Sequence, residues 1–266
     1  MPSHFSTIGL RVASKEELAA LAERVAPISD QIEVKSGRYF RWSSESGAEL
    51  WLQVDRQNNL IGINPHFTGS SVVRVGLTKS VTRSDDTVLD GAFYAWADPE
   101  EDDPETGSYP LVFDCPDSHS YSDLRLPSLA KAQIAAFAHE LLVYESPEAY
   151  DESQTDGLKF ASQSFIPSGL LALQAESIEP PEAYAIFTGH VLKCESKFND
   201  LTEEPFHWAL VETLGGVYDV VIDPEFIEVP PVVGGIVSGV FWLSGRLLKY
   251  TREKRSILRR FFGGTD

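Results

Sequence analysis

In the stretch GAELWLQVD, Glu49, Trp51 and Gln53 alternate with Ala48, Leu50, Leu52 and Val54. Side chains alternate across a strand, so the apolar set falls on one face, while the carboxylate, indole and amide fall together on the other. That second face has the composition of a surface that grips a polar ligand. His66, in NPHF, follows the next apolar run and joins the same neighbourhood if the two runs pair as a hairpin. Glu49, Trp51, Gln53 and His66 are the expected ligand-binding residues.

Other chemistries find less support. Cys115 and His119 lie four apart in the proline-interrupted stretch FDCPDSH, with no third group marked to orient a base. The serine of GIVSG at 235–239 is displaced by one from the GxSxG of a nucleophile elbow. The chain has no GxxxxGK[ST] and no GxGxxG, which argues against nucleotide-dependent phosphoryl transfer and dinucleotide redox. The acidic run PEEDDPE at 99–105 lacks the alternating ligands and distal glutamate of a calcium loop and reads as a solvated loop.

Positioning these side chains requires a sheet. Residues 4–12 read as a strand, and Ser14 followed by Glu16 and Glu17 opens a helix to about residue 26. Strands follow at 31–35, 38–43, 48–54 and 60–64, where Asn58 and Asn59 supply a turn and Pro65 ends the pairing. A degraded copy of the pattern follows. GAFYAW at 91–96 matches GRYFRW at 37–42, and residues 107–113 fall where 47–53 did. Residues 130–144 read as the best helix, with Ile134, Phe137, Ala138, Leu141 and Leu142 on one stripe and His139 and Glu140 beside it.

Pro180 and Pro181 mark a boundary, beyond which strands at 184–193, 206–213, 217–222 and 235–248 suggest a small OB-like β-barrel. The expected fold class is α+β: an N-terminal β-α-β-β-β sheet domain over residues 1–179, a small all-β barrel over 180–249 and a basic amphipathic helix over 250–266. From 246 to 262 the chain holds seven basic residues and one acidic residue. Lys249, Arg252, Arg255, Arg259 and Arg260 are the expected contact residues of that tail, docking on the acidic body or on an oligomer partner.

With 266 residues, 42% of them hydrophobic, the chain can bury a substantial core. Its formal charge of −18 argues against a nucleic-acid partner, because polyanion binding rests on neutralising phosphates. The region 182–245 sets Lys193 and Lys197 against ten acidic residues, so a barrel there cannot offer an electropositive groove. Cys115 and Cys194 form no paired or zinc-type spacing, and the apolar run 229–243 is broken by prolines and glycines. A cytoplasmic protein that binds no membrane is the expectation.

The N-terminal half, with His4 on its first strand and Glu49 in GAELW, resembles a module of the vicinal-oxygen-chelate superfamily, which includes the glyoxalases. The resemblance implies a cup in which His4 and Glu49 would ligate a divalent metal, with His66 nearby. In the second copy the position of Glu49 falls on Tyr109, and residues 72–78 hold no histidine, so two ligands of that family's set have no counterpart. The whole chain also resembles a bacterial protein family through SHFSTIGL, GAELW, NPHF, FAHEL, FIPSG and GVFWLSGR, a resemblance that carries no activity. The expectation is a non-enzymatic protein without a cofactor, binding a small molecule or a protein partner. The alternatives are a divalent-metal enzyme of the glyoxalase type and a structural, homo-oligomer-forming protein.

Overall fold

Ser14 starts the first helix as expected: its Oγ accepts the Glu17 amide, and α1 (Lys15–Val25) carries Glu16 and Glu17 in its first turn. The computed structural model describes residues 3–155, 160–170 and 180–250. Residues 4–12 form no strand. They fold into a 3-10 turn, Ser6–Ile8, closed by Gly9 at φ 75°. Side chains satisfy the carbonyls a strand partner would have used, with Thr7 Oγ1 donating to His4 O, Asn199 Nδ2 to Ile8 O and Thr202 Oγ1 to Gly9 O.

Four antiparallel strands follow in sequence order: β1 (Asp30–Val34), β2 (Gly37–Ser43), β3 (Ala48–Asp55) and β4 (Leu60–Phe67). Asn58 takes the left-handed conformation at the β3–β4 turn, and Asp55 Oδ1 accepts the amides of Gln57 and Asn59. Pro65 does not end the pairing. β4 runs on to Phe67, because an edge strand tolerates the missing donor.

The remaining strands are β5 (Val73–Val81), β6 (Ala92–Ala97), β7 (Tyr109–Asp114), β8 (Ser128–Tyr144), β9 (Ser164–Pro167), β10 (Tyr184–Phe198), β11 (Pro205–Thr213), β12 (Gly216–Ile222) and β13 (Ile236–Tyr250). They form one mixed nine-stranded sheet, so strands from both sides of Pro180–Pro181 share it. Its pairings close two rings, β5–β6–β7–β13–β8 and β10–β11–β12–β8–β13, which share the long β8–β13 ladder. The class is mixed α+β.

The expected helix over 130–144 is β8, and this corrects the sequence reading. Ala132, Ile134, Ala135, Ala136 and Phe137 are all fully buried, so both faces of the strand are apolar and the period-2 signal vanishes. Alanine has the highest helix propensity, yet tertiary pairing on both sides overrides it. A short helix, α2 (Pro147–Ser153), follows β8.

Two cores result. One fills the rings, where Phe187 stacks on Phe241 at 3.8 Å and Phe165 on Tyr218 at 5.1 Å. The other joins Leu50 and Leu52 on the apolar face of β3 to Leu21, Ala22 and Val25 of α1 and extends through Phe67 and Phe206 to Phe137 and Trp242. No helix among the described residues is long and apolar enough to cross a membrane.

Candidate functional site

Where the 3-10 turn, the loop before β6 and the start of β10 meet, a cleft of about 330 Å³ opens onto β7 and β13. Its lining is dominated by charge. Among the described residues, Asp85, Asp86, Asp90, Asp114 and Glu182 face it against one arginine, Arg83. The guanidinium donates through Nη1 to Asp114 Oδ1 at 2.8 Å and through Nη2 to Pro181 O at 3.2 Å, while its Nε is buried with no partner among the described residues. Asp114 Oδ2 accepts the Trp242 indole N–H at 2.6 Å. Burial pushes the Asp114 carboxyl above its ordinary value, opposed by Arg83 and the indole donor.

One wall is aromatic. Trp242 stacks on the His4 ring at 4.0 Å with 4° between planes, and both line the cleft with Tyr184. Among the described residues no side-chain hydrogen bond engages Asp85 or Glu182, and both are exposed. The cleft therefore joins anchored carboxylates at its base to exposed ones at its rim.

The side chains singled out from sequence lie behind this wall. Glu49, Trp51, Gln53 and His66 are at most 1% exposed, because the nine-stranded sheet covers the polar face of β3. Gln53 Nε2 and Asn64 Nδ2 both donate to Asp90 Oδ1, at 2.6 and 2.8 Å, and the Thr87 amide donates to Asp90 Oδ2. His66 Nδ1 stands 2.8 Å from Ser244 Oγ, and Ser244 lines the cleft.

The tautomer of His66 follows from its neighbours. Gln133 gives its Nε2–H to Asp219 Oδ2, so its Oε1 is the acceptor facing His66 Nε2 at 3.2 Å. His66 thus carries its hydrogen on Nε2, and Nδ1 accepts from Ser244. Burial, opposed by the Glu49 charge, holds its pKa down at about 4 and keeps it neutral at pH 7.

Glu49 anchors the seam between the sheets. It accepts from Arg41, from Thr68 Oγ1 at 2.6 Å and from Trp51 Nε1 at 2.8 Å, with Arg246 Nη1 at 3.8 Å. Arg246 also lies 4.6 Å above the Trp51 ring and bonds Asp117 at 3.0 Å. Burial alone would raise the Glu49 pKa, but His66, Arg41, Thr68 and Arg246 hold it at about 2.

His4 has other partners than Glu49: no hydrogen bond joins it to Glu49 or His66, and its Nε2 meets His139 Nε2 at 2.6 Å. Among the described residues no three His, Cys, Asp or Glu side chains are grouped to hold a metal ion. Cys115 donates its thiol to Asp117 Oδ1, and burial pushes its pKa up. His119 reaches Tyr39 through its backbone amide. Lys249 is exposed near the end of β13, opposite Lys131. Arg252, Arg255, Arg259 and Arg260 lie outside the described residues.

Sequence reasoning passed over Arg83, Asp90, Asp114, Trp242 and Ser244. The available signal was the acidic turn RSDD at 83–86 and the FDCP stretch, but nothing local joins them to β13. Comparison with protein-family models, with curated proteins and with solved structures found no match.

Proposed function

We propose that the protein binds a small organic cation, an amine or guanidinium compound, in the acidic cleft, and does so without catalysis. The supporting observation is the lining itself: among the described residues, five carboxylates against one arginine. Converging negative charge in a concave wall raises the local concentration of cations. Gln53, Asn64 and the Thr87 amide fix Asp90, and Trp242 fixes Asp114, so part of the recognition surface is pre-organised.

A non-catalytic role fits the reactive groups. The Cys115 thiol is engaged by a carboxylate, and the His66 imidazole is enclosed between Ser244 and Gln133. Two free cysteines suit a reducing, cytoplasmic setting. The five-stranded ring β10–β11–β12–β8–β13, closed by four antiparallel pairings and one parallel one, supports an OB-like reading of the second half.

Thermal-shift measurements with agmatine, spermidine and the anion benzoate test this reading. Agmatine or spermidine should raise the melting temperature in low salt and benzoate should not. A protein indifferent to both cations would refute it.

A further inference from the structure

His4 comes from the N-terminal turn and His139 from β8, and their Nε2 atoms stand 2.6 Å apart. The ring centroids are 4.6 Å apart with 69° between planes. Two neutral imidazoles meet at that distance only if one nitrogen carries a hydrogen and the other a lone pair. A neutral imidazole nitrogen is the commonest protein ligand for borderline transition metals.

We propose that His4 and His139 form a two-histidine binding site for a borderline transition-metal ion, Zn²⁺, Ni²⁺ or Cu²⁺, at the edge of the acidic cleft. The rings are already held in place. His4 lies flat on Trp242, whose N–H is tied to Asp114, and His139 meets Tyr184 edge-on at 5.3 Å. An ion with metal–nitrogen bonds of about 2.0–2.1 Å in tetrahedral geometry needs the two nitrogens about 3.3 Å apart. The half-buried rings have to part by less than about 1 Å, giving up one mutual hydrogen bond.

His4 also lines the carboxylate-rich cleft, whose field favours a cation. Since no third His, Cys, Asp or Glu among the described residues closes on the pair, water completes the coordination shell. Such a site is open, unlike a closed structural zinc site. It differs from the His4 and Glu49 pair implied by the chelate resemblance, and it goes beyond organic-cation binding without depending on it.

The test uses the full chain stripped of metal, titrated calorimetrically with ZnCl₂ and loaded with Cu²⁺ for electron paramagnetic resonance. One ion per chain is expected, with two imidazole nitrogens coupled to the copper. His4→Ala and His139→Ala should each lose stoichiometric binding, whereas His207→Ala should keep it. A wild-type chain that takes up no ion, copper spectra with fewer than two imidazoles, or binding untouched in both variants would overturn the proposal. The copper spectrum of the wild type decides even if a variant misfolds. Organic-cation binding measured in EDTA keeps the two proposals separate.

Discussion

Ser244 Oγ stands 2.8 Å from His66 Nδ1, and through this contact the buried seam between the two sheets reaches the wall of the cleft. Gln53 makes the same kind of connection through Asp90 at 2.6 Å. The polar face of β3 thus supports a cleft wall built by other residues.

Stability should fall on mild acidification because His66 is buried and neutral. Its folded pKa of about 4 lies below the ordinary 6.5, so its contribution is full above pH 6.5 and is lost as the pH falls through 4. From His66 alone, urea unfolding should show a loss of about 2 kcal/mol between pH 7.5 and pH 5. His66→Gln should flatten that slope; an unchanged slope would contradict the assignment.

Glu49→Gln removes the charge that faces Arg41 and Arg246 in the seam. Breaking a buried pair by deleting one partner typically costs about 3–5 kcal/mol, and Asp117 still compensates Arg246 here. The expected loss in urea unfolding is at the lower end, about 3 kcal/mol. A change below about 0.5 kcal/mol, the usual range for surface substitutions, would show that the pair does not hold the sheets together.

Ala135 and Ala136 point to opposite faces of β8, and both are fully buried. Aspartate at either position should therefore unfold the chain or lower its melting temperature sharply, since each buries an unpaired charge. An amphipathic helix would tolerate the charge on its outer side. Thermal melts in which one of the two variants is near wild type would argue against a strand covered on both faces.

The sequence showed clearly what depends on near neighbours. Alternation located β2, β3 and the β10–β13 strands, and Ser14 marked the start of α1. It singled out Gln53 and His66 as ligand-binding residues, and the structure buries both, in hydrogen bonds to Asp90 and Ser244. What it could not show was which surface covers them, because the second sheet reaches β3 through contacts such as His66 with Ser244, 178 residues apart. β8 was hidden for a related reason: strands that cover both its faces leave no alternation to read. The cleft gathers Asp90, Asp114, Glu182 and Trp242 from separated segments, so no spacing rule could assemble them.

The central claim is that the cleft is a cation site, and isothermal titration of agmatine into the full chain in EDTA tests it most directly. The wild type should bind one equivalent, more weakly as salt rises. Asp85→Asn/Glu182→Gln, which alters only exposed carboxylates at the rim, should weaken binding at least fivefold without lowering the melting temperature. Absence of binding by the wild type, or equal affinity in the double variant, would contradict the account.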